Sequence, residues 1–150
     1  MISVMKQLAG FAAVRHERRV LLVRQAYDKM LWGFPGGAIE MGETVAEGTR
    51  REVLEETALA VELDALLSYW ERPDLALFVF LATPLTLDVS PRAEEIADVG
   101  WFDAGGIETL SPCFSTHRAL ALHALLGASG LRSSTVTNYD GKAISMWSGM

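Results

Sequence analysis

Short apolar runs, separated by polar tips and turn residues, predict pairs of β-strands along the chain. The first two runs, residues 8–14 and 20–23, flank the charged stretch RHERR, a pattern typical of two strands joined by a tight connection. A second pair, residues 61–69 and 75–83, is separated by a polar turn around Pro73. The pattern therefore predicts two strand–turn–strand units that belong to a sheet.

Two helices and one more strand are predicted between and after these units. Thr44 is a good N-cap and Glu47 follows three residues later, so a capping box should start a helix that runs from about Val45 to Thr57. VGWF at residues 99–102 indicates a short strand. STHRALALHALL at residues 115–126 predicts a second helix, which the following glycine ends.

The order of elements predicts a mixed sheet covered by helices, an α/β or α+β sandwich. The 150 residues suit one domain, which we assign to residues 1–127. Residues 128–150 differ in character and are assigned to a C-terminal extension. Residues 128–134 are interpreted as a linker, and residues 135–147 are either a hairpin that turns at Asp140–Gly141 or a floppy tail.

Composition excludes several classes of protein. Half of the residues are apolar and 21% are charged, which excludes wholesale disorder. The single cysteine, Cys113, excludes a disulfide framework and a multi-cysteine zinc site. The apolar runs are far shorter than the roughly 20 residues of a membrane-spanning helix, and the N-terminus lacks the apolar region of a signal peptide. We therefore expect a cytoplasmic protein that does not bind membranes.

Charge is distributed unevenly along the chain, whose net charge is −6. Residues 1–35 carry six lysines and arginines against two acids, whereas residues 36–64 carry eight acids against two arginines. An acidic block that comes after a basic one indicates a site where cations meet an anionic ligand. The negative balance argues against general binding to nucleic acid.

Three glutamates share one face of the first predicted helix. At about 100° per residue, Glu55 and Glu56 lie on either side of Glu52, within an arc of about 100°. Their repulsion and the helix dipole both disfavour this arrangement. A divalent cation with oxygen ligands, such as Mg²⁺, would offset both effects, and the alternative is a solvated acidic face. The preceding glycines, Gly36 and Gly37, leave room for backbone groups to approach a metal ion and phosphates.

Residues 37–59, GAIEMGETVAEGTRREVLEETAL, resemble the Nudix box. The family pattern is G-x5-E-x7-R-E-U-x-E-E-x-G-U, where U is aliphatic, and this sequence meets every named position but one. Ala58 stands at the glycine that ends the helix, and we expect alanine there to cost about 1 kcal/mol without touching the chemistry. The lead-in WGFPGG and the later segment EEIADVGWF are also similar to family segments.

The resemblance implies an α/β/α sandwich with a mixed sheet. It also implies a hydrolase that needs Mg²⁺ or Mn²⁺ and cleaves a nucleoside diphosphate linked to another group, or a nucleoside triphosphate. The family's metal-binding positions correspond here to Glu52, Glu55, Glu56 and Gly36, the last through its carbonyl. Arg51 and Glu43 match the pair that braces the loop and orients the glutamates.

The proton of an attacking water must pass to a base, which the family draws from the box or from a later loop. Glu52 and Glu95 are the candidates, with Glu94 next to them. A solvated turn is the alternative for the pair at 94–95.

Residues that contact the substrate are less clearly marked. Arg24 lies at the end of the second strand, where it would face the phosphates or serve as a surface arginine. Trp32 and Phe34, together with Trp70, are candidates for stacking on a base, and packing in the core is the alternative. His117 is interpreted as structural, since no ligand spacing ties it to the acidic helix.

The predicted function is metal-dependent hydrolysis of a small-molecule nucleotide, with the identity of the nucleotide left open. One alternative is a non-catalytic Nudix-fold module that senses nucleotides or binds a protein, although such modules usually lose the box carboxylates. Another is a hydrolase of RNA 5′ ends, which the fifteen acids against four arginines in residues 36–103 disfavour. We also predict a homodimer whose contact includes the segment after Leu131, because apolar side chains there, Trp147 among them, need a surface to lie against.

Overall fold

The computed structural model describes residues 5–92, 94–127, 130–137, 141 and 143–148. Within them the strands are β1 (Gln7–His16), β2 (Arg19–Gln25), β3 (Trp32–Gly33), β4 (Gly36–Ala38), β5 (Val61–Arg72), β6 (Leu75–Pro84), β7 (Ile96–Phe102), β8 (Arg132–Thr137) and β9 (Ala143–Ser148). The helices are α1 (Val45–Thr57), α2 (Ala104–Thr109) and α3 (Ser115–Leu125). No helix among the residues described is both long and apolar enough to cross a membrane.

The first seven strands form one mixed sheet. Its main order is β3-β2-β1-β6-β5, with β4 paired to β1 and β7 paired to β2. The pair β1–β6 is parallel, whereas β1–β2, β2–β7 and β5–β6 are antiparallel. The mixed sheet expected from the order of elements is therefore confirmed.

Alternate residues of the central strand pack on opposite faces of the sheet, as the period of a β-strand requires. Ala12 and Val14 of β1 belong to an apolar cluster that includes Val53 of α1. Ala13 belongs to a second cluster, which includes Ala121 of α3. The sheet thus lies between helices on both faces, which is the predicted α/β/α sandwich.

Local sequence determines both ends of α1. The Thr44 hydroxyl accepts a hydrogen bond from the Glu47 N–H at 3.1 Å, and the Glu47 carboxylate accepts from the Thr44 N–H, so the predicted capping box is present. The helix ends at Thr57, and its C-cap is Ala58, whose φ of 63° lies in the left-handed region. An L-residue is strained in that conformation, which agrees with the cost expected for alanine at the family's glycine position.

The C-terminal strands β8 and β9 pair with each other and form a sheet of their own. The strand β8 begins inside residues 128–134, so the prediction of a linker is wrong for residues 132–134. The cause is pairing with β9, whose register begins at Arg132 opposite Ser148. Just before β8, Leu131 and Leu66 exchange backbone hydrogen bonds of 2.6 and 2.9 Å in an isolated bridge. Asp140 and the side chain of Trp147 lie outside the described residues, and the division into a domain and an extension remains a prediction.

Candidate active site

The glycine-rich segment passes between β1 and α1 and leaves no room for side chains. Gly36 has a φ of +154°, and a Cβ atom there would clash with the Gly10 carbonyl oxygen. A Cβ atom on Gly37 would lie 2.7 Å from the Glu52 carboxyl carbon. The Gly36 N–H donates to the Glu56 carboxylate at 3.3 Å. The two glycines therefore let the backbone lie directly against the carboxylates of α1.

Three carboxylates from two separate segments converge beside these glycines. Ligand oxygens of Glu52, Glu56 and Glu95 all lie within 4.8 Å of one another. Glu52 and Glu56 are one turn apart on α1, and Glu95 comes from the loop before β7. We call Glu52, Glu56 and Glu95 the carboxylate cluster. Glu94, the alternative to Glu95, is exposed and lies outside this cluster.

Glu55 also lies outside the carboxylate cluster. Its side chain is about half exposed and accepts a hydrogen bond from the Arg51 guanidinium at 3.0 Å. The (i, i+3, i+4) spacing of the three glutamates places them on one helix face and predicted a common metal-binding role. The structure separates them because only the arc of α1 that holds Glu52 and Glu56 faces Gly36, Gly37 and the loop of Glu95.

In the absence of a cation, burial favours the protonated, uncharged form of carboxylates in the cluster. Glu56 is only 6% exposed, and its burial raises its pKa to about 8, with a further contribution from the neighbouring carboxylates. Burial also raises the pKa of Glu52. The Gly36 N–H offsets part of this effect, but no ion pair with a lysine or arginine reaches Glu56 among the described residues. A bound cation would supply the missing positive charge.

Arg51 connects the box loop to α1. Its guanidinium donates to the Glu43 carboxylate at 2.8 and 3.1 Å, to the Ala38 carbonyl at 3.1 Å and to Glu52 at 3.2 Å. The bond from Arg51 lowers the pKa of the Glu43 carboxyl below its usual value. The pair of Arg51 and Glu43 implied by the resemblance is thus present as a bidentate ion pair. Arg51 also orients Glu52, although Arg51 itself does not line the cavity described below.

The carboxylate cluster lies in the wall of a cavity of about 550 Å³. Its other walls are mostly apolar and aromatic, and the polar side chains among them carry no full charge of their own at neutral pH. The apolar side chains are Phe11, Val23, Phe34, Trp70, Leu77, Ile96 and Phe114. The polar ones are Gln25, Tyr27, Thr116 and His117. No lysine or arginine lines this cavity in the part of the chain that the structure describes.

The residues expected to contact substrate divide between this cavity and other places. Phe34 lines the cavity, but Arg24 and Trp32 do not. The Arg24 side chain turns away from the cavity wall formed by its neighbours in β2, and its Nε donates to the Met30 carbonyl at 3.0 Å. Trp32 is buried, and its ring packs edge-on against Phe102 at 5.1 Å between centroids. In this structure Arg24 thus contacts a loop and Trp32 packs in the core, and substrate contact by either residue stays a prediction.

Sequence reasoning missed several cavity residues. The alternation of side chains along β2 could have indicated Gln25, because Val23, two positions earlier, lines the same side of the strand. His117 accepts a hydrogen bond from the Phe34 N–H at 3.0 Å, and burial lowers its pKa to about 4. These two residues are 83 positions apart, so no local pattern indicated their contact.

Two curated proteins are similar in sequence to about two thirds of this chain. A human 8-oxo-dGDP phosphatase, NUDT18, is 38% identical over 108 residues, which are 68% of this chain and 33% of that protein. The NAD-capped RNA hydrolase NudC of Vibrio cholerae is 33% identical over 103 residues, 67% of this chain and 37% of that protein. The chain thus spans about a third of the length of these curated relatives.

The fold and the family are shown by two further comparisons. The crystal structure of a NUDIX hydrolase from Nitrosomonas europaea superposes with a TM-score of 0.73 at 23% identity, over 84% of this chain and 75% of that one. The family model described as the NUDIX domain matches residues 5–119, a range that contains α1, the carboxylate cluster and the cavity. On this match, the chain belongs to the Nudix family.

Proposed function

We propose that the chain is a metal-dependent hydrolase that cleaves the diphosphate bond of a nucleoside diphosphate derivative or a nucleoside triphosphate. The observation that carries this proposal is the convergence of Glu52, Glu56 and Glu95 on one cavity. Non-catalytic modules of this fold would not need to retain three carboxylates so close together, because their mutual repulsion is unfavourable without a cation.

The donor set suits a hard divalent cation. Carboxylate oxygens are the ligands that Mg²⁺ and Mn²⁺ prefer, and the buried Glu56 lacks any other cationic partner among the described residues. Glu52 and Glu56 would bind the ion, the Gly36 carbonyl is a proposed additional ligand, and Glu95 lies close enough to act on a water molecule beside it. Glu55 is assigned to the Arg51 network instead. When bound, such an ion neutralises phosphate charge and lowers the pKa of a water molecule.

The protein side chains then have distinct tasks in the hydrolysis. The water oxygen forms a bond to phosphorus, the bond from phosphorus to the bridging oxygen breaks, and the proton of the water passes to a carboxylate. Glu95 is the proposed base because it is exposed, belongs to a loop and reaches the carboxylate cluster. Glu52, which Arg51 orients at 3.2 Å, is the alternative base.

The rest of the cavity accommodates the nucleoside half of the substrate. Aromatic walls from Phe34, Trp70 and Phe114 match the flat surface of a base. Since no lysine or arginine lines the described cavity, the charge of the phosphates depends on the metal ion. The two relatives named above act on 8-oxo-dGDP and on NAD-capped RNA, both of which contain a diphosphate group, so both compounds belong in the substrate panel.

The decisive experiment is a hydrolysis panel with Mg²⁺ and with Mn²⁺. It should contain nucleoside triphosphates, ADP-ribose, dinucleotides, 8-oxo-dGDP and NAD-capped RNA, with EDTA and the Glu56→Gln variant as negative controls. Glu62→Gln, an exposed glutamate on β5, is the matched control. We expect turnover that EDTA and Glu56→Gln abolish and Glu62→Gln retains. Binding of a nucleotide without any turnover by folded protein would instead support the non-catalytic module.

The assembly is a separate proposal. We propose a homodimer of a cytoplasmic protein whose contact includes the segment after Leu131, because β8 and β9 form a separate two-stranded sheet that needs a surface to pack against. Truncation after Ser129 should shift sedimentation toward the monomer while metal-dependent activity persists. A truncated chain that stays dimeric, or a monomeric full chain at high micromolar concentration, would contradict this.

A further inference from the structure

The hydrogen bond between Phe34 and His117 fixes the position of the proton on the histidine ring. The Phe34 N–H donates to Nδ1 at 3.0 Å. A ring nitrogen that accepts a hydrogen bond carries no proton, so the proton of the neutral imidazole must be on Nε2. The ring is buried and its pKa lies at about 4, which keeps it neutral at physiological pH.

The ring is also fixed in orientation. Phe34 stacks on it at 4.9 Å between centroids with an interplanar angle of 25°, and the rings of Phe114 and Phe11 lie at 5.0 and 5.3 Å. Gly33 passes so close that a Cβ atom there would lie 2.5 Å from Nδ1. Rotation of the ring by 180° would exchange Nδ1 for carbon and leave the buried Phe34 N–H without an acceptor.

Nε2–H is the polar group that His117 has left to offer to the cavity, because Nδ1 is bonded to Phe34. His117 is one of the cavity's lining residues, and the Nε2–H contacts no acceptor among the described residues. In the same part of the chain, no buried side-chain nitrogen or oxygen is left without a partner. Nε2 is therefore accessible from the cavity and presents one oriented donor to whatever enters it.

We propose that His117 is a specificity-determining residue whose Nε2–H recognises a hydrogen-bond acceptor on the base of the substrate, a carbonyl oxygen or an unprotonated ring nitrogen. This inference rests on the proposed function. Phe34 is two residues from Gly36, which contacts Glu56, and two extended residues span about 7 Å. That distance is a maximum, so His117 lies near the carboxylate cluster in the same cavity, on the side lined by the aromatic residues Phe34 and Phe114. A neutral donor in an apolar wall also suits a base better than a phosphate.

Nuclear magnetic resonance of the wild-type protein tests the fixed donor directly. Long-range ¹H–¹⁵N spectra of the three histidine rings should show His117 protonated on Nε2 alone from pH 8 to pH 5.5, with His16 and His123 as reference signals. Non-hydrolysable α,β-methylene analogues of ADP, GDP and UDP are then added with Mg²⁺. We expect saturation with at least one of them to shift the His117 Nε2–H signal. Protonation on Nδ1, binding without a shift, or no binding of any analogue would overturn the proposal.

Kinetics supply the second test. His117→Asn keeps an acceptor at the δ position for the Phe34 N–H but removes the Nε2–H, so KM for the best substrate should rise roughly tenfold, with kcat changed less than about threefold. His123→Asn, an exposed histidine of the same helix, should change neither constant. A lower kcat at unchanged KM would indicate a merely structural role and contradict the proposal. If the wild type hydrolyses nothing, the proposed function fails, whereas the spectra still decide on the donor.

Discussion

Acid should destabilise the protein through His117. Its pKa is about 4 in the folded chain, because burial disfavours the charged ring, and about 6.5 in an unfolded chain. The folded form therefore binds fewer protons than the unfolded form between these values. The stability that the neutral ring provides is complete above pH 6.5 and is lost as the pH falls toward 4.

The size of the effect is set by the two pKa values. Each pH unit in this window removes about 1.4 kcal/mol, so about 2 kcal/mol is lost between pH 6.5 and pH 5. Among the residues that the structure describes, Phe11, Gly33, Phe34 and Phe114 pack on the ring, all of them uncharged, and none of their side chains is a carboxylate that could offset the loss. A domain of ordinary stability, about 5–15 kcal/mol, would lose a measurable fraction of it.

Urea denaturation at pH 7.5, 6 and 5 measures this effect, with EDTA present so that metal binding plays no part. Other groups titrate as well, so the quantity to compare at each pH is the difference in free energy of unfolding between the wild type and His117→Asn. The variant should be less stable at pH 7.5 because of lost packing, and the difference should shrink by about 2 kcal/mol at pH 5. His123→Asn should behave like the wild type. A difference that is equal at pH 7.5 and pH 5 would refute the assignment of a buried neutral ring.

Two substitutions test the site itself, and a third tests the C-terminal end of α1. Glu56→Gln should lower kcat at least about a hundredfold, and without metal it should melt no lower than the wild type at pH 8, since it removes a buried carboxylate. A near-normal rate would exclude Glu56 as a ligand. Glu95→Gln should slow the chemical step while calorimetry shows most of the metal affinity retained, and an equal loss of affinity would make Glu95 a ligand instead. Ala58→Gly should stabilise the protein by roughly 0.5–1 kcal/mol in thermal denaturation, because the left-handed φ of 63° suits glycine. A lower melting temperature would contradict the strain at Ala58.

The sequence by itself determined the elements whose contacts are local. The capping box of Thr44 and Glu47 and the approximate bounds of α1 were predicted correctly, because hydrogen bonds between residues three and four apart depend on nothing distant. The box spacing also indicated the family, and Ala58 takes the conformation expected of the glycine it replaces.

Only the tertiary structure decided which side chains share the cavity. Pairing of β7 with β2 places the loop of Glu95 beside α1, which selects Glu95 over Glu94 and leaves Glu55 with Arg51. Helical periodicity places the three glutamates on one face but cannot say which of them another segment approaches. The contact of His117 with Phe34 depends on how α3 packs on the sheet, 83 residues further along the chain. Contacts of this kind depend on strand order and on how helices pack against the sheet. The local sequence around either residue does not determine these features.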